Sequence, residues 1–379
     1  MERRKKKNKK HGIARTVLFA VIAVLLVICA ITALLYRDKL TPSGLNQTFA
    51  DSGDEEQEIE SEPFTYESGS MQSFAAFGNN LAVVSSTGYQ LLDAKGRTIA
   101  REVLSMDAPA VSVAENRCVV YDAQGQELRV LDVNGTAKSL KTTDRILSAR
   151  INASGYLAVV TEETGYKAAV TVYDSELRRI FVWHSGSAYV IAAELAPNDE
   201  MLAALSVDSS GGKLTVFSLG KEQPIGTFVA EGELFWDLHW MDREHVCLLS
   251  EERLIFTNEK AEALAEYNYQ GRYLLDYDLG SCAALLLGDY RSGGNSLLVT
   301  VASDGRERGS TEMQQEIYSL HVSGDRVLAL CADKLELLTD QLTPLGSTEK
   351  ILGVKKALLR KDGKCLLLGA YAAELIGLY

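Results

Sequence analysis

Three rhythms of hydrophobic and polar positions follow one another along the chain. Residues 16–36, TVLFAVIAVLLVICAITALLY, form one apolar run without a charge. Residues 37–63 are polar, with Thr41-Pro42-Ser43-Gly44 followed by Asp51, Asp54, Glu55, Glu56, Glu58, Glu60 and Glu62. From Phe64 onward helical periodicity nearly vanishes. Short runs of Val, Leu, Ile, Ala and Tyr are instead broken by Gly, Asn and Asp at intervals of roughly eight to twelve residues, which is an all-β pattern.

Within that third stretch one phrase recurs: an apolar strand, a short polar turn, then a second and more apolar strand. It stands as Phe74-Ala-Ala-Phe-Gly-Asn-Asn-Leu-Ala-Val-Val and again as Arg150-Ile-Asn-Ala-Ser-Gly-Tyr-Leu-Ala-Val-Val. Further copies begin at Leu195, Trp240 and Val322, and degraded ones at Val111, Tyr277 and Leu359. A third strand ending in a turn follows, as in Gly88-Tyr-Gln-Leu-Leu-Asp-Ala-Lys-Gly, and then a more polar fourth, such as Thr98-Ile-Ala-Arg-Glu-Val. First strands placed near Phe74, Ala110, Ile146, Ile191, Leu234, Leu274, Ile317 and Ile351 are spaced by 36, 36, 45, 43, 40, 43 and 34 residues. Four strands per unit at this period predict a β-propeller. The unit from Ile351 to Tyr379 has room for only three strands. The segment near 60–68, with Phe64-Thr-Tyr-Glu, is expected to supply the fourth and close the ring. The count predicts eight blades, or seven if one degraded copy is an insertion.

The phrase Asn152-Ala-Ser-Gly-Tyr-Leu-Ala-Val-Val resembles the turn-plus-strand phrase of WD40-like and TolB-like bacterial propellers. Joined to one apolar N-terminal segment, it is similar to an uncharacterised Firmicutes family of membrane-anchored propellers, known only as a domain of unknown function. That resemblance spans roughly residues 60–379 and implies a fold, not an activity. The Gly-His and Trp-Asp dipeptides of eukaryotic WD40 blades are missing, and so is the tryptophan-docking phrase of quinone-dependent propellers. No cofactor is expected.

Charge gives the first stretch a direction. Residues 1–15 carry eight Lys and Arg against Glu2, a balance of +7, which leaves −19 for the rest of a chain whose total is −12. A run of 21 residues reaches about 30 Å as a helix, enough to cross a bilayer. It is longer than the apolar core of a cleaved signal peptide and lacks a small-residue cleavage site. Bulky Ile28 before Cys29 does not suit a lipid-attachment site. The positive-inside rule then predicts a cytoplasmic tail 1–15, a transmembrane helix 16–36, an extended acidic linker 37–63 and a propeller 64–379 outside the membrane. The basic tail abuts the span, where anionic headgroups account for it without nucleic acid.

Local catalytic motifs are missing: no Gly-x-Gly-x-x-Gly, Walker loop, His-Glu-x-x-His or Gly-x-Ser-x-Gly occurs. Cys118, Cys247, Cys282, Cys331 and Cys365 each fall on the second strand of a different unit, too far apart for disulfides and without zinc spacing. They are expected to be reduced and buried.

Two constellations remain. Alternation on the innermost strands sets polar groups toward the central channel: Ser148 and Arg150, Glu194, Asp237 and His239, Asp276 and Asp278, Ser319 and His321, and Lys355. Of these, Arg150, Glu194, His239, Asp278 and His321 are candidates for an acid–base or ligand site, against the alternative of a water-filled polar channel wall. The second constellation is the turn between second and third strands, where Asp122, Glu162 with Glu163, Asp208, Glu251 with Glu252, Asp289 and Asp333 are expected to share one side of the disc. Such a face favours cations or a basic partner and repels nucleic acid. Aromatic clusters Trp183-His-Ser-Gly-Ser-Ala-Tyr189 and Tyr267-Asn-Tyr-Gln-Gly-Arg-Tyr273 lie between units, and the alternating Trp236, Leu238 and Trp240 are expected in the core. The function expected is a membrane-anchored binding platform outside the cytoplasm for a protein or envelope partner. Its alternative is a lyase or hydrolase acting in the channel on an envelope polysaccharide or small molecule; no catalytic, metal or cofactor residue is assigned.

Overall fold

The computed structural model describes residues 63–293 and 295–378. The expected tail 1–15, span 16–36 and all of the linker but its last residue lie outside the described residues. Among the described residues, strands form eight four-stranded antiparallel sheets. The protein is an eight-bladed β-propeller, so no repeat copy is an insertion. The innermost strands are Ser73–Phe77, Pro109–Ala114, Ile146–Ile151, Tyr189–Leu195, Phe235–Trp240, Tyr273–Leu279, Ile317–Ser323 and Lys356–Leu359. The last starts five residues beyond Ile351, because the chain turns there first, Val354 N–H donating to the Ile351 carbonyl at 3.0 Å.

The turns after the third strands are built by one device. Asp93 Oδ1 accepts the backbone N–H of Lys95 at 2.8 Å and of Arg97 at 2.9 Å. Asp132, Asp174 and Asn258 do the same two and four residues on. A side-chain oxygen at this position mimics a backbone turn. The position three residues after it takes positive φ, filled by Gly96 and Gly135 but also by Leu177 and Ala261.

The core is divided among the seams. Each of eight apolar clusters joins one pair of neighbouring blades; one runs from Ala192 and Leu205 in blade four to Leu238 and Ile255 in blade five. Second and third strands are therefore covered on both faces, and they read as continuous apolar runs such as Leu157–Thr161 rather than as alternations. Fourth strands abut the next blade's turn closely: a Cβ on Gly226 would stand 1.8 Å from the Lys260 carbonyl oxygen.

Blade eight takes its outer strand from the other end of the chain, Phe64–Thr65 pairing with Ala372–Ile376. Phe64 packs on Gly96 of blade one as other fourth strands pack on their neighbours' turns, and Tyr66 Oη donates to the Gly369 carbonyl at 2.7 Å. The pairing Phe64↔Ala373 and Thr65↔Ala372 covers the start of that strand's outer edge and ties the two ends of the ring together.

Blades three to seven share a feature that strict alternation misses. The pairing of first and second strands skips one residue in each, at Leu147, Ile191, Trp236, Leu275 and Tyr318. A bulge shifts the side-chain phase by one residue. Phe235 therefore joins Leu238 and Trp240 in the core, and Trp236 turns out to solvent with 48% of its surface exposed. The expectation that Trp236 lies in the core is corrected: the bulge, not the alternation, sets its direction.

Candidate functional site

An innermost strand has no partner on its channel side, so its outward N–H groups need acceptors. The channel side chains supply them from the preceding blade. Asp276 Oδ2 accepts the Leu320 N–H at 3.0 Å and Asp278 Oδ2 accepts that of Val322 at 2.6 Å. His321 Nδ1 accepts the Leu359 N–H at 3.2 Å, one blade further on. In blade four Glu194 stands beside the Trp240 N–H, and its own carbonyl accepts the Trp240 indole N–H at 3.1 Å. Polar residues on these strands thus stitch consecutive blades together.

Arg150 does this over the longest reach. Its Nη1 donates to Glu194 Oε2 at 2.7 Å and to the Leu238 carbonyl at 2.6 Å, while Nη2 bonds Asp237 Oδ1. Three blades are thereby latched by one guanidinium, a geometry its planar fork suits. His239 Nδ1 lies 2.9 Å from Glu194 Oε1, and Tyr277 donates to Asp237 Oδ2 at 3.2 Å. Burial alone would raise the Glu194 carboxyl, but His239 and Arg150 together hold it down at about 2. For His239 burial works against the charge, yet Glu194 prevails and holds the imidazole above its ordinary value. Asp278 is pushed up to about 6 by burial, whereas burial and then Lys356 lower His321 to about 4.

Of the five channel candidates, Arg150, Glu194 and His239 come together with Asp237 and Tyr277. Asp278 and His321 sit in later blades, each engaged with a backbone N–H. Tyr277 was not legible as a member, since alternation with Asp276 and Asp278 sets it on the opposite face of its strand from the channel, where it packs against an apolar seam. Among the described residues no three His, Cys, Asp or Glu side chains are arranged to hold a metal.

The strand registers place the acidic turns on one side of the disc, beside the starts of the inner strands. Tyr189 pairs with Val207 next to Asp208, Phe235 with Ser250 next to Glu251, and Tyr273 with Gly288 next to Asp289. The acids are not equally available. Glu251 meets Arg291 at 2.6 Å, Asp289 meets Arg272 at 3.5 Å and Asp333 accepts from Gln315 at 2.5 Å. Asp122 caps the Ala108 N–H at 2.7 Å, and Asp208 takes the N–H and hydroxyl of Ser210. Glu162 and Glu252 are exposed and Glu163 half-buried. On the same side Leu234 and Trp236 stand exposed in a depression of about 540 Å³ with Glu231, Glu233, Glu251 and Glu252. Of the inter-blade aromatics, Tyr189 and Tyr273 are exposed here, while Tyr269 is buried and Trp183 packs on Phe217 with ring centroids 5.0 Å apart.

All five cysteines of the propeller are free and buried. Cys282 differs from its expected position, lying one residue before the second strand Ala283–Gly288. Desolvation pushes the thiols up, to about 12 for Cys118 and Cys365.

Solved structures similar to this chain are propellers. Sqt1 of Saccharomyces cerevisiae matches with a TM-score of 0.60 at 10% identity, over 83% of this chain and 98% of that one. The C-terminal WD40 domain of Sif2 gives 0.58 at 11% identity, over 83% and 99%. BamB from Moraxella catarrhalis gives 0.51 at 12% identity, over 81% and 94%. At such identities these are likenesses of fold. No curated protein matches the chain. Residues 55–341 match the model of a family of unknown function (DUF5711), and the chain belongs to that family.

Proposed function

We propose that the protein is a binding platform, and that its docking face is the side carrying the turns between second and third strands. The occupant is a basic protein segment with apolar residues beside its charges. The observation that carries this reading is the depression around Leu234 and Trp236, where Glu233 and Glu251 are paired with Arg253 and Arg291 and the exposed Glu231 and Glu252 are left to meet a basic partner. Exposed Trp and Leu offer apolar area that gains by being covered, and the carboxylates supply a field that attracts cationic side chains. Propellers are a fold typical of interaction platforms, which supports the reading without naming a partner.

The apolar run 16–36 and its basic flank support a single-pass anchor with the N-terminus in the cytoplasm, residues 16–36 in lipid and the propeller outside. The partner then is a protein or envelope component at the outer surface.

A photo-crosslinking side chain placed at Trp236 in intact cells tests the docking face. The expected result is one dominant adduct with a basic protein, lost in a chain carrying Leu234→Ala and Glu252→Lys, neither of which removes a buried contact. An adduct that persists in that variant, or forms equally from a crosslinker at Lys361 on the other side of the disc, overturns the proposal.

A further inference from the structure

On the side of the disc away from those turns, the hairpins joining first to second strands in blades one, two, seven and eight line a half-open cavity of about 620 Å³. Gly78, Glu115, His321, Arg326, Arg360 and Lys361 are among its walls. Arg360 opens the hairpin turn of blade eight: its N–H donates to Lys364 and its carbonyl accepts from Gly363. Asn152 in blade three and Ala196 in blade four hold the same turn position. There Asn152 is fully engaged, donating to Asp199 Oδ1 at 2.6 Å and accepting from the Tyr156 N–H at 2.9 Å. Ala196 brings no polar group at all. The turn therefore forms without an arginine.

Yet the Arg360 side chain is 3% exposed, and only its Nη2 is engaged, donating to Asp362 Oδ2 at 2.7 Å. Nε and Nη1 are buried and have no hydrogen-bond partner among the described residues. An unmet buried donor destabilises the fold, and more so where the group is charged. His321 borders the same cavity. Because its Nδ1 accepts from Leu359, the neutral ring carries its proton on Nε2, which makes it a further donor. Lys361 and Arg326 stand at 3.5 Å from Glu115 and 4.0 Å from Asp325, loose pairings that leave their charges partly open.

We propose that this cavity is a binding site for a small-molecule carboxylate, held by Arg360 with His321 as second donor. The volume lies in the range of small-molecule sites. Three bases, Arg326, Arg360 and Lys361, and three acids, Glu115, Asp325 and Asp362, cancel in its walls. That balance suits one negative charge better than the two of a phosphate.

The test is thermal unfolding of the full chain with acetate or benzoate added at constant ionic strength, chloride and inorganic phosphate serving as comparison anions. With the carboxylates the midpoint is expected to rise by several degrees and to saturate. Arg360→Met, which fills the same space without donors, is expected to be at least as stable as the parent chain without ligand and to lose the rise. Arg360→Lys keeps the charge and folding but loses the fork, and the carboxylate concentration for half the rise should increase at least tenfold. No saturable rise in the parent chain, an equal rise with phosphate or chloride, or an unchanged midpoint concentration in Arg360→Lys overturns the proposal. So does an Arg360→Met chain that is less stable than the parent or still responds, since the arginine is then a structural group.

Discussion

The imidazole Nδ1 of His321 accepts the backbone N–H of Leu359 at 3.2 Å, across the seam between blades seven and eight. Protonation would turn that acceptor into a donor facing a donor, with Lys356 nearby adding repulsion. The unfolded imidazole titrates near 6.5 and the folded one at about 4. Between those values the unfolded chain binds a proton that the folded chain does not, so this group's stabilisation is present above 6.5 and lost as pH falls toward 4. Asp278 has the opposite slope, since its folded value of about 6 lies above its ordinary 3.8. His321→Asn keeps an acceptor but removes the titration. Urea midpoints should show it gaining about 2 kcal/mol relative to the parent at pH 4.5 over its difference at pH 7. An identical pH dependence in both chains would sink the assignment.

Removing Arg150 strips Glu194 and Asp237 of their shared cation, leaving Glu194 with His239 and Asp237 with the Tyr277 hydroxyl. Arg150→Met is expected to cost about 3–5 kcal/mol, the usual penalty for stripping one partner from a buried ion network. Arg150→Lys should fall between, because one ammonium cannot reach Glu194, Asp237 and the Leu238 carbonyl together. Urea unfolding at pH 7 measures both. If Arg150→Met matches the parent, the latch contributes nothing.

The outer seam is expected to tolerate no added carbon at Gly226, where a Cβ would meet the Lys260 carbonyl oxygen at 1.8 Å. Gly226→Ala should destabilise by about 2–3 kcal/mol through overpacking. Gly186→Ala meets nothing within 4 Å and should change stability by less than about 0.5 kcal/mol. Equal unfolding midpoints for the two variants would contradict the close approach.

Topology can be read through the cysteines. The five in the propeller are buried with raised thiol values, so they should stay silent toward a maleimide that cannot cross membranes. A cysteine introduced at exposed Lys361 is expected to label on intact cells, while one introduced at Lys5 labels only after lysis. The reverse pattern would place the propeller in the cytoplasm.

The amino-acid sequence by itself determined the strand period and the turns that punctuate it, and narrowed the number of blades to eight or seven; strand pairing decided for eight. Period and turns are local properties: apolar runs covered on two faces, and side-chain oxygens such as that of Asp93 closing a turn on N–H groups two and four residues away. It also located the polar channel positions Arg150, Glu194 and His239. Tertiary structure alone decided their meaning, since Arg150 reaches Asp237 and Glu194 from a different blade. It decided the direction of Trp236, because a bulge depends on how two strands pair and leaves no mark in the residues of either one. Arg360 is the sharpest case. In Leu359-Arg-Lys-Asp-Gly363 it reads as one charge of a solvated turn, whereas in the folded protein its side chain is 3% exposed. Burial of that charge depends on packing between segments distant in the chain, which no local stretch contains.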